Sequence, residues 1–378
     1  MSENALPIVA VGAPKEGIGG VVHAYKLNLE NSTYSAYGKP LEGTFVGSNF
    51  GFATAISDDG QILVVGANGT EDGRGQVQVY KYYSDEGLWK PRGQPLYGAS
   101  TGDNFGNAVS LSATGRRLAV GALQAHVDGV GVDTGAVYVF DYKDDNEENE
   151  EWEQIAAIPG NKEHAKFGFS VTLSGSGDVL AVGAPYYDVV GNLGSFKWGG
   201  QVRVFLLDDG ASWSPLGNPL PYQSMGERYG WSIDLSSEGF VIAAGAPLNA
   251  DNGEASGQVR VYTYDGKKDW VLKGQIIQGQ NLGRWFAGTV RLSYDGNTVA
   301  TSLWCDKPNK EPCSYGGVRV FRYSADRWTQ LGGDVPGSTL FDPHSMSIDM
   351  KKDGTIIMSG TDENSVEVVQ AYKLPPGA

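Results

Sequence analysis

Short runs of alternating apolar and polar residues recur along the chain, each opening on Gly. They read Gly75-Gln76-Val77-Gln78-Val79-Tyr80, Gly135-Ala136-Val137-Tyr138-Val139-Phe140, Gly200-Gln201-Val202-Arg203-Val204-Phe205 and Gly257-Gln258-Val259-Arg260-Val261-Tyr262, with Gly317-Val318-Arg319-Val320-Phe321 as a fifth. Strict period-two alternation predicts strands with two different faces. A second, more apolar run ends on Gly-Ala or a relic of it, and its key positions are 12, 66, 121, 183, 245, 302 and 360, or 54 to 62 residues apart. Six of these runs are preceded by a further strand that opens at Phe50-Gly51, Phe105-Gly106, Phe167-Gly168, Tyr229-Gly230, Phe286-Ala287 and His344-Ser345. Nine residues separate that second residue from a corner Gly (Gly60, Gly115, Gly177, Gly239, Gly296, Gly354), and six more reach the key position, every time. Constant spacing around a Gly corner predicts a β-hairpin of fixed register. A fourth segment carries Trp89, Trp152, Trp213, Trp270 or Trp328. No stretch has helical periodicity. Four short strands per unit of about 58 residues, repeated seven times, predict an all-β, seven-bladed β-propeller. The units run approximately 1–48, 49–103, 104–165, 166–227, 228–284, 285–339 and 340–378, within one domain spanning 1–378.

The aromatic-Gly opening followed by Gly-Ala-Pro (Gly12-Ala13-Pro14, Gly183-Ala184-Pro185, Gly245-Ala246-Pro247) resembles the FG-GAP repeat of integrin α-subunit propellers and of related seven-bladed microbial and algal proteins. The resemblance covers essentially the whole chain. It implies a seven-bladed propeller and, less directly, ligand binding on one face, because one fold hosts many functions. One departure concerns calcium. Many such repeats carry an Asp-x-Asp-x-Asp-Gly loop between first and second strands, whereas the corners here read Ser57-Asp58-Asp59-Gly60, Ser112-Ala113-Thr114-Gly115, Ser174-Gly175-Ser176-Gly177, Ser236-Ser237-Glu238-Gly239, Ser293-Tyr294-Asp295-Gly296 and Lys351-Lys352-Asp353-Gly354. Two carboxylates at most meet in one corner, and Ca²⁺ takes six to eight oxygens. No calcium is expected at these loops, and no other cofactor is indicated.

Seven second and seven third strands are accompanied by only six first and six fourth ones, so the first and last blades are incomplete. A fragment of a longer polypeptide is expected, with the parent chain or another chain completing the ring. The alternative is closure by six full blades and an extra hairpin at 8–27.

Loop lengths vary mainly between second and third strands. Those loops share a face with the fourth-to-first connections, and variable loops on a rigid scaffold are where binding concentrates. Tyr186, Tyr187, Trp198, Arg228, Trp231, Arg284, Trp285 and Trp304 fall on that face in blades four to six. Aromatic rings beside arginines suit a sugar or a protein hot spot. The same residues could instead simply pack between blades.

Net charge is −15, from 29 Lys+Arg against 44 Asp+Glu, which excludes nucleic acid and an anionic membrane surface as partners. No apolar run is long enough to insert in a bilayer. Cys305 and Cys313 bracket a Pro-cornered loop and read as a disulfide in an oxidising compartment, with two reduced thiols as the other possibility. Asn31-Ser32-Thr33 and Asn68-Gly69-Thr70 match the N-glycosylation triplet. The acidic run from Asp144 to Glu151 reads as a solvated loop. Catalysis has little support. The four His (His23, His126, His164, His344) have no metal-ligand spacing, and Gly98-Ala99-Ser100-Thr101-Gly102 lacks the helix that a nucleophile elbow needs. The expectation is therefore a non-catalytic recognition or scaffolding module, extracellular or at the cell surface, binding a protein or glycan through one face. A lectin-like propeller is the second reading and a polysaccharide-active enzyme the third.

Overall fold

The computed structural model describes residues 7–28, 33–144, 150–188, 198–208, 212–279, 285–303, 317–336, 347–363 and 366–374. Within them, seven small antiparallel sheets follow one another along the chain, so the protein is an all-β, seven-bladed propeller. The third blade shows the plan: Phe105–Leu111, Arg117–Ala122, Ala136–Asp144 and Glu150–Pro159, each strand paired with the next. The first blade has three such strands, Ile8–Ala13, Val21–Asn28 and Thr33–Ala36, and no described strand in the first position. The seventh has Ser347–Met350, Ile356–Glu363 and Val366–Lys373, and no described fourth. Among the described residues, helix is confined to a single turn at Thr70–Gly73, within which Glu71 and Asp72 have positive φ.

The aromatic-Gly opening has a backbone cause. In blades two and three the register between first and second strands slips at this point, between Phe50 and Ala53 and between Phe105 and Ala108. Gly51 and Gly106 sit in that bulge with φ of 90° and 85°, which a side chain would strain. The key Gly of the second strand answers to a different demand. A Cβ on Gly121 would lie 2.1 Å from the carbonyl oxygen of Gly168 in the next blade, so both glycines are needed for neighbouring blades to approach.

Blades are also tied at their outer strands. The indole Nε1–H of Trp89, Trp152, Trp270 and Trp328 donates to the carbonyls of Tyr37, Arg92, Leu216 and Lys273, at 2.9, 3.0, 2.9 and 2.7 Å, each in the preceding blade. All four indoles are buried. The corners close on themselves: Ser57, Ser112, Ser174, Ser236 and Ser293 each accept, through Oγ, the N–H five residues on. Asp59 and Asp295 accept from the same turns, through Ser57 and Gln61 and through Ser293 and Asn297.

The chain divides into two compact units, Met1–Leu180 with Leu207–Trp213, and Ala181–Leu206 with Ser214–Ala378. In the first, a buried cluster runs from Ile62 and Val64 through Phe105, Leu118 and Val120 to Phe140 and Trp152. In the second, Val259, Val261, Phe286, Val290, Val299 and Trp328 form the corresponding core.

Candidate functional site

Five of the residues singled out by sequence meet within the second unit. Tyr186 follows the second strand of blade four (Val179–Ala184), and Trp198 precedes its third (Gln201–Asp208). Arg228 and Trp231 flank the Tyr229-Gly230 opening of blade five, and Trp285 precedes Phe286 in blade six. The Arg228 guanidinium lies 4.9, 5.2 and 5.5 Å from the ring centres of Tyr186, Trp198 and Trp231. Tyr186 meets Trp198 edge-on at 5.3 Å, and Trp231 meets Trp285 edge-on at 6.3 Å. Backbone bonds fix the arrangement: Arg228 N–H donates to the Trp198 carbonyl (3.2 Å), Tyr229 N–H to Gly199 (2.8 Å) and Trp231 N–H to Arg228 (3.3 Å). Trp198 remains 39% exposed, so the cluster opens to solvent.

Arg228 occupies a left-handed backbone position with φ of 56°; Asn49, Asn104 and Lys166 hold the same position in blades two to four, each at 54°. A non-Gly residue there carries some strain. Asn49 and Asn104 spend their amides locally, on Asn68 and Gln124. No described residue hydrogen-bonds or ion-pairs with the Arg228 guanidinium, whose Nε is buried. Asp188, half-buried and two residues beyond Tyr186, likewise has no hydrogen-bond or ion-pair partner among the described residues.

The acid next to Arg228 in sequence does not serve it. Glu227 is fully buried; its Oε1 accepts from the Gln223 N–H at 2.7 Å. Its Oε2 accepts from Asn249 (2.7 Å), Gln258 (3.3 Å) and the Nη2 of Arg260 (2.6 Å). Arg260 is fully buried too and lies over the Tyr229 ring at 4.6 Å. Burial, reinforced by Tyr262, pushes the Tyr229 phenol well above its ordinary pKa. In blade three the equivalent acid is Asp103, which caps Ser100 N–H at 2.8 Å, and a Tyr, Tyr138, stands where blade five has Arg260. Sequence reasoning missed the Glu227–Arg260 pair. Its signal is the charged residue inside Val259-Arg260-Val261, at a strand position whose neighbours are all core. Arg203 and Arg319 repeat it in blades four and six. Arg319 pairs with Asp334 through two bonds of 2.7 and 2.5 Å. Burial lowers the Arg203 pKa, partly offset by the nearby Tyr187.

Arg284, Trp304, Cys305, Cys313 and Asn31 lie outside the described residues. Asn68 is buried, its Oδ1 accepting from Asn49 at 3.0 Å. Of the acidic run, Asp144 pairs with Arg116 through bonds of 2.6 and 3.0 Å, and 145–149 are outside the description. Among the described residues no group of three His, Cys, Asp or Glu side chains is placed to hold a metal ion.

The FG-GAP repeat family model matches residues 97–140. No curated protein matches the chain in sequence. Among solved structures, the chain is similar to a candidate 6-phosphogluconolactonase from Bacteroides fragilis, with a TM-score of 0.65 and 13% identity over 99% of this chain and 92% of that one. It is also similar to a periplasmic gluconolactonase from Pseudomonas aeruginosa, with a TM-score of 0.63 and 16% identity over 98% and 94%. These likenesses correct the expectation of a non-catalytic recognition module and of no enzyme activity. That expectation rested on a family resemblance and on few catalytic motifs, and the same architecture is now matched, nearly end to end, by sugar-lactone enzymes. At such identities the likeness itself speaks for the fold. Repeat match and architecture together make the chain an FG-GAP-like seven-bladed β-propeller.

Proposed function

We propose that this protein hydrolyses sugar lactones at the Arg228 cluster. The observation that carries the reading is the convergence of Tyr186, Trp198 and Trp231 on one uncommitted arginine, with Trp285 edge-on to Trp231, from loops of three consecutive blades. The fold, shared with two gluconolactonase-type propellers, supports it. Indole and phenol faces suit the apolar C–H face of a sugar ring. In the reaction, a water oxygen adds to the lactone carbonyl carbon and the ring C–O bond breaks. The ring oxygen leaves as a hydroxyl, and the new acid gives its proton to solvent. Asp188, whose Cα lies within about 7 Å of that of Tyr186 by chain length alone, is assigned to take one proton of the attacking water and to return it to the departing ring oxygen.

The test is titrated release of acid from sugar δ- and γ-lactones, with heat-denatured protein as the blank. Acceleration over the spontaneous rate is expected. Asp188→Asn should lower kcat by roughly 10²–10⁴ with KM nearly unchanged, and Trp198→Ala should mainly raise KM. No acceleration with any sugar lactone would overturn the reading.

A further inference from the structure

Arg228 brings to the cluster a positive charge that no described part of the protein neutralises. Its sequence neighbour Glu227 is turned inward, with both carboxylate oxygens spent on Gln223, Asn249, Gln258 and Arg260. The rings around it attract a cation, but no described residue makes a hydrogen bond to its N–H donors. In a chain of net charge −15, such a cation could readily have been paired, and the equivalent position in blades two and three carries a neutral residue, Asn49 and Asn104. A guanidinium held by stacking, with its donors unspent, suits a planar oxyanion.

We propose that the site takes sugars bearing an anionic group, a phosphate or a carboxylate, and that Arg228 binds that group while the aromatic faces hold the ring. This rests on the reading of the cluster as the substrate site. It adds the substrate class: acidic sugar lactones over neutral ones. Arg228 is then the specificity-determining residue, and the buried Glu227–Arg260 pair is what keeps its charge available.

The experiment is calorimetric titration of the protein with glucose, glucose 6-phosphate and glucuronate, three stable rings that differ in charge and undergo no turnover. At least tenfold tighter binding of one or both anionic sugars than of glucose is expected. That preference should shrink between about 20 mM and 500 mM salt, as screening requires. Arg228→Asn, a residue the fold already carries at this backbone position in two blades, should erase the preference, and Arg228→Lys should retain part of it. Equal affinities for the three sugars, or a preference unchanged in Arg228→Asn, would overturn the proposal. Since no hydrolysis is involved, anion preference without lactone turnover would sink only the enzymatic reading. Lactone turnover without anion preference would sink only this one.

Discussion

Removing the Glu227 carboxylate should be among the costliest single changes in the second unit. Glu227 and Arg260 are both fully buried, and Arg260 has Nε and Nη1 buried without partners, so Glu227 is its sole counter-ion among the described residues. Glu227→Ala strands a buried guanidinium and leaves Asn249 and the Gln223 N–H without an acceptor. Breaking such a pair costs about 3–5 kcal/mol. For a unit of this size that corresponds to roughly 6–20 °C in the melting temperature. Arg260→Met strands the carboxylate and should cost a similar amount. The double variant, with neither charge left behind, should be clearly less damaged than the two losses added, with a coupling of about 2–3 kcal/mol. Calorimetric melting of the four proteins measures this. A shift under about 2 °C for Glu227→Ala, or strict additivity in the double variant, would refute the reasoning that the pair is a dry, mutually dependent one.

Gly121→Ala should lower the melting temperature by about 2–12 °C, since the new Cβ meets the Gly168 carbonyl and blades have to separate, whereas Gly333→Ala, with open space around it, should leave it unchanged. Trp152→Phe should cost about 1–3 kcal/mol in calorimetric stability by orphaning the buried Arg92 carbonyl. Burial holds the Asp234 carboxyl above its ordinary pKa, against the pull of Arg291 and Lys352. The folded state therefore keeps that proton more tightly than the unfolded chain, and folding stability falls as pH rises from the ordinary Asp value through the raised one. Asp234→Asn should accordingly remove that pH dependence, as melting temperatures across a pH series would report.

The architecture was legible because each structural demand recurs in several blades and leaves the same residue type behind. The bulge at Gly51 and Gly106, the close approach of Gly121 to Gly168 and the indole ties of Trp89, Trp152, Trp270 and Trp328 each impose one residue type at one spacing. Much of the candidate site was legible for a related reason. Tyr186, Trp198, Arg228, Trp231 and Trp285 break the repeat on loops that the blade plan sends to one face, and they do gather. Tyr187, adjacent in sequence, makes no ring contact with the cluster among the described residues, because side-chain direction inside an irregular loop is set by packing and not by spacing. The Glu227–Arg260 pair was invisible as a pair: its members are 33 residues apart, in different elements, and nothing local links them. Chemistry was the least legible level, since a scaffold that repeats seven times says little about the few loop residues that do not repeat.

The central claim, that the Arg228 cluster holds the substrate, is tested most directly by a crystal structure with the aldonic acid product of a turned-over lactone bound. The account predicts the sugar chain lying against Trp198 and Trp231, within hydrogen-bond reach of the Arg228 guanidinium and with Asp188 on its open side. Product bound elsewhere on the propeller, with the cluster unoccupied, would contradict it.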